Sequence, residues 1–132
     1  MSCWRTYQCD ALKKADKEQV IQALNNLEVS VDQKVKVVHG TYERRQAEVD
    51  GILHYHNRST DVGIIFNGRD DNVEIVGDFW GSGLDSTTFM DNLAQQYLKI
   101  TAENQLRMAG YVIENVSTNA SGEIEIEAVA YA

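Results

Sequence analysis

A chain of 132 residues, 43% hydrophobic and 24% charged, can bury one core without disulfides or metals, as ordinary globular domains do. Its net charge of −8 argues against nucleic-acid binding, whose affinity comes largely from Lys and Arg on phosphates, and against electrostatic docking to an anionic membrane; it permits a basic protein partner. No apolar run approaches the roughly 18 residues of a membrane span.

Met1-Ser2-Cys3-Trp4-Arg5 carries no signal-peptide core, so cytoplasmic or plastid-stromal residence is expected. Residues 3–9 read as a short strand. Cys3 and Cys9 would project from one face about 20 Å apart, beyond the reach of a disulfide, and are expected to be reduced and partly buried. Asp16 is placed to cap a helix with Val20, Ile21, Leu24 and Leu27 on one side, ending near Glu28. Lys34 to Tyr42 alternates weakly. Ala47 to Tyr55 reads as one strand, with Ala47, Val49, Leu53 and Tyr55 opposite Glu48, Asp50, His54 and His56. Residues 57–60 read as a turn. Val62 to Phe66 is apolar on both faces, as in a central strand. Asn67-Gly68 suits a type I′ hairpin turn, with residues 69–72 lengthening the loop, and Val73, Ile75 and Phe79 form the return strand.

Asp78 to Gly83 then breaks the strand pattern and leads into the longest element. Asp85, Ser86, Thr87 and Thr88 offer cap oxygens to the first turn; Phe89, Met90, Leu93, Tyr97 and Ile100 recur at helical spacing. Asn104 interrupts the stripe and is expected at its edge, Met108 resumes it, and Gly110 marks the helix end. Tyr111 to Val116 and Glu123 to Tyr131 flank a polar turn, and Glu123, Glu125 and Glu127 alternate with Ile124, Ile126 and Ala128. Tight turns between strands and one-sided helices predict an α+β domain over 1–132: a single antiparallel twisted sheet with two helices packed on one face. The other sheet face is polar along several strands, open to solvent or to a partner.

Gly81, Ser82 and Gly83, with the hydroxyls of Ser86 and Thr87, form a candidate ligand- or anion-binding loop at a helix N-terminus. The competing reading is an ordinary cap: no Gly-Lys-Ser/Thr ending follows, and Asp78 and Asp85 would each repel a phosphate by roughly 1 kcal/mol. His54 and His56 lie about 7 Å apart on one strand face beside Glu48 and Asp50, a candidate metal site if a second element such as His39 joins; the wet side of an amphipathic strand is the stronger explanation. Asp70-Asp71-Asn72 lacks the later glutamate of a calcium loop and reads as a hairpin tip. Neither cysteine has a reactive signature, no Gly-x-Ser-x-Gly elbow occurs, and no catalytic set or cofactor motif emerges. Trp80 is either a core plug or, beside the glycine loop, an interface anchor; with Glu123, Glu125 and Glu127 it is a candidate interface residue.

The stretches Asp61–Gly68, Val73–Trp80, Phe89–Tyr97 and Arg107–Ile113 resemble the hypothetical chloroplast reading frame thirty-five family, domain of unknown function 1257, of cyanobacteria, algal plastids and cyanobacterial viruses. Met1-Ser2-Cys3-Trp4 is similar to the family's start, where histidine typically stands in place of Cys3. The family's proline-containing loop before the long helix has no counterpart, since this chain has no proline. The resemblance implies a fold and a setting without a reaction, and some bacterial relatives are encoded near an AAA-class ATPase. Residues and resemblance together predict a non-enzymatic protein-binding or accessory domain, its partner an AAA-class ATPase or a second copy, with no nucleic acid and no membrane. The alternatives are a small-ligand or anion-binding domain at Gly81–Thr88 and a metal-binding domain at His54 and His56.

Overall fold

The computed structural model describes residues 4–40, 44–84 and 86–130. Among these residues nine strands and two α-helices follow in order: β1 (Trp4–Cys9), α1 (Lys17–Asn26), β2 (Val29–Asp32), β3 (Val37–His39), β4 (Gln46–Glu48), β5 (Gly51–Tyr55), β6 (Arg58–Ile65), β7 (Val73–Asp78), α2 (Ser86–Met108), β8 (Tyr111–Thr118) and β9 (Ile124–Ala130). The main sheet is antiparallel, in the order β1-β7-β6-β5-β2. The expected α+β fold is therefore present. Its strands are divided among three sheets, because β3–β4 and β8–β9 form separate two-stranded ribbons.

One face of the main sheet carries Val29, Leu53, Val62, Ile64, Val73 and Ile75 into a core with Val20, Ala23 and Leu24 of α1 and Phe89, Met90, Leu93 and Ile100 of α2. Asp16 caps α1 by accepting a hydrogen bond from the Gln19 N–H at 3.0 Å. The Tyr97 hydroxyl accepts from the Asp16 N–H at 3.0 Å, and Gln19 donates to Thr101, so polar tips at the edge of the stripe lock the two helices together. Gly110, at φ +91°, ends α2 where the sequence places its stop, and Asn104 is exposed, at the stripe's edge. Neither helix is long and apolar enough to cross a membrane.

The second face is not the open polar surface the alternation predicts. The β3–β4 ribbon covers it, enclosing Val38, Val49, Ile52 and Val76 with Trp4, Ala47 and Ile65 around them. The ribbon comes close because Gly63 has no side chain: a Cβ there would lie 2.6 Å from a Val49 methyl. The predicted strand Ala47–Tyr55 is accordingly broken at Asp50. Its N–H donates to the Ile64 carbonyl at 2.8 Å, while its carboxylate accepts from the Phe66 N–H at 2.8 Å. Asp50 thus fastens the ribbon's exit to the end of β6.

Two turn assignments change. His56 (φ +50°) and Asn57 (φ +63°) sit between the paired residues Tyr55 and Arg58 and form the type I′ turn, so Arg58–Thr60 are strand. Gly68 has φ −90°, and a short 3₁₀ turn at Arg69–Asp71 widens the loop after Asn67. Cys3, Tyr42, Asp85 and Tyr131 fall outside the described residues, as does the predicted cap role of Asp85.

Gly63→Ala is expected to destabilise the domain by about 1–3 kcal/mol, the usual cost of overpacking against a stiff neighbour such as Val49. Urea unfolding checks this. A variant as stable as the parent would show that the ribbon does not lie tightly on the sheet.

Candidate functional site

Between β7 and α2 the chain makes a loop braced by its own hydrogen bonds. The Ser82 hydroxyl donates to the Phe79 carbonyl at 2.7 Å and accepts from the Leu84 N–H at 3.0 Å, while the Ser82 N–H also donates to Phe79. The Trp80 N–H donates to the Asp78 carboxylate at 3.1 Å. Gly81 (φ +73°) and Gly83 (φ +80°) occupy the left-handed region that lets the chain double back. Gly83 also lies against the Tyr55 ring, 3.0 Å from where its Cβ would be.

That Tyr55–Gly83 contact stands between two concave spaces. The larger, about 490 Å³, lies between the loop and the β5–β6 turn and is lined by His56, Arg58, Ser59, Thr60, Gly81 and Ser82 as well as the shared pair. The smaller, about 230 Å³, is walled by Leu27, Val29, Leu84 and Phe89, with Thr88 and Asn92 beside them. The structure therefore brings Gly81, Ser82 and Gly83 of the predicted loop to a cleft, whereas Thr87 is exposed and lines neither space. The Ser86 side chain is outside the described set. Arg58 and Tyr55 were missed by the sequence reading. Its Asn57–Thr60 turn removed Arg58 from the strand whose start points it at the loop.

His54 and His56 have different surroundings. His56 Nδ1 lies 2.5 Å from Glu28, fixed at the turn, while His54 Nε2 is 3.9 Å from Asp32. His39 lines the same cleft as His54, Asp32 and Asp61, but Glu48 is on the separate ribbon and the Asp50 carboxylate is engaged by Phe66. Among the described residues no three His, Cys, Asp or Glu side chains come together as a set able to hold a metal ion.

Of the candidate interface residues, Trp80 is 55% exposed at the loop before α2. Glu123, Glu125 and Glu127 are exposed beyond that helix, beside or along β9. The hairpin's inner face, Ile113, Val116, Ile124, Ile126 and Ala128, is only half-buried, and its turn is tied to α2 where Gln95 donates to the Gly122 carbonyl at 2.7 Å.

The family model described as protein of unknown function, DUF1257, matches residues 23–126. The chain belongs to this family. The DUF1257 match takes in the end of α1, the whole of α2, the Gly81–Gly83 loop, the cleft and most of the hairpin. Comparison with curated proteins and with solved structures gives no match.

Gly81→Ala is expected to cost about 1 kcal/mol, the penalty for a Cβ in the left-handed region with open space around it. Gly83→Ala should cost clearly more, about 2 kcal/mol or above, because its Cβ also meets Tyr55. Paired thermal melts of the two variants test the packing, and equal losses would contradict it.

Proposed function

We propose that this DUF1257 domain is a non-enzymatic protein-binding module whose contact surface is the β8–β9 hairpin with the adjoining end of α2. One observation carries the reading. Ile100 is the last buried residue, and among residues 101–130 none is buried. Yet this segment is not polar: Met108 is 88% exposed, and Tyr111, Val112 and Val129 are exposed as well. Val112 and Val129 are register partners, so their side chains adjoin on the hairpin's outer face. A two-stranded ribbon is marginal by itself, and covering such side chains is worth about 1.5–3 kcal/mol each when complete.

Charge narrows the partner. From residue 109 onward the chain has Glu114, Glu123, Glu125 and Glu127 and neither Lys nor Arg. A second copy docked through this face would bring like charges together, which disfavours the homodimer. A different protein with basic residues around an apolar contact fits better, and a basic surface on an AAA-class ATPase is one partner of that kind.

The double substitution Val112→Lys/Val129→Glu should leave the stability of the free domain within about 0.5 kcal/mol, since both positions are solvent-facing and the facing charges are opposite. In affinity capture from cells that naturally contain the chain, a partner held by the parent should be lost with the double variant. The same proteins recovered by both would sink the proposal. Light scattering should find the free chain monomeric, and a dimer abolished by the double substitution would transfer the surface to a second copy.

A further inference from the structure

We propose that the paired spaces on either side of Tyr55 and Gly83 bind a small amphiphilic anion, a carboxylate or phosphate monoester carrying a compact apolar group. The site is independent of the hairpin surface. In a chain with 20 acidic residues, no Asp or Glu among the described residues lines either space. Three other concavities of the described surface each include at least one: Glu28, Asp32 with Asp61, or Asp71.

The larger space also contains a cation. Among the described residues the ion pairs are His54–Asp32, His56–Glu28 and Arg107–Glu103, so the Arg58 guanidinium has no carboxylate partner. Its planar array of donors suits two oxygens of one anionic group. Ser59 brings a hydroxyl to the same wall, and the Gly81 and Gly83 N–H groups have no acceptor among the described residues. The smaller space is of the opposite character, with the side chains of Leu27, Val29, Leu84 and Phe89 for walls. Both volumes together fall in the range of small-molecule sites, which pair an apolar body with a few placed polar groups. Anionic head over Arg58 and apolar tail past Tyr55 is the arrangement that satisfies both ends. Arg58 and the cleft walls, not the start of α2, would hold the ligand.

The test is a titration of the full chain followed by amide NMR, with phenyl phosphate and phenylacetate as probes and inorganic phosphate and benzyl alcohol as comparators. At least one of the two amphiphilic anions should give saturable shifts centred on Gly81–Gly83 and Arg58, and the tighter of them assigns the headgroup. Arg58→Gln, at an exposed position, should fold as the parent does and bind about tenfold more weakly, as expected for one lost charge-assisted contact. Asn92→Trp, which fills the mouth of the smaller space, should weaken the aromatic probes by a similar factor. No saturable shift with either anion, equal affinity in Arg58→Gln, or comparators that bind as tightly as the probes would each overturn the proposal.

Discussion

The double-sided burial of β6 is the constraint on which the molecule depends. Val62 and Ile64 face the helices, while Gly63 and Ile65 face the β3–β4 ribbon, so one strand contributes to two hydrophobic clusters. Its backbone is paired on both sides, with β5 and β7. A strand so enclosed has no solvent face on which to place a charge over its second half, which is why that half is an unbroken apolar run. The flanking elements are arranged to serve it. Both helices lie on one side because the ribbon occupies the other, and Asp50 joins the two sides through one backbone donor and one carboxylate.

A small departure in the β5–β6 ladder shows how local polar chemistry is reconciled with this burial. The register shifts between Ile52 and His54, and the Thr60 hydroxyl donates to the Leu53 carbonyl at 2.7 Å where the ladder skips. The skip allows β5 to present Leu53 to the helix-side core and still reach its turn with Tyr55 directed at the Gly83 loop. The cleft is therefore a by-product of ladder geometry as much as of the loop itself.

What the sequence made legible was whatever repeats within a single element. The stripes of α1 and α2, the apolar run of β6 and the alternation of β9 are local periodicities, and they lie where periodicity places them. The failures are non-local. Nothing between Ala47 and Tyr55 announces that Asp50 will be claimed by Phe66, sixteen residues later, so one predicted strand became two. β2 is four residues long, too short for alternation to stand out from a loop. Composition favours a type I′ turn at Asn67-Gly68, where glycine tolerates positive φ readily, yet the ladder places one at His56-Asn57, a pair with no glycine. The glycine loop was found by its composition. Its facing residues were not, because Tyr55 and Arg58 reach it only through the folding of β5 onto β6.

The distribution of charge along the chain has a kinetic consequence. All twelve Lys and Arg residues precede residue 108, so the terminal hairpin is uniformly acidic and the net charge of −8 is spread unevenly. Such a molecule has an electric dipole as well as a monopole. A cationic body diffusing towards it experiences a torque that presents the hairpin end before contact, over distances of about one Debye length, roughly 8–10 Å at moderate ionic strength. Salt would shorten that reach without altering any atom of the surface, so the ionic medium, and not the fold alone, sets how often an encounter begins in the right orientation.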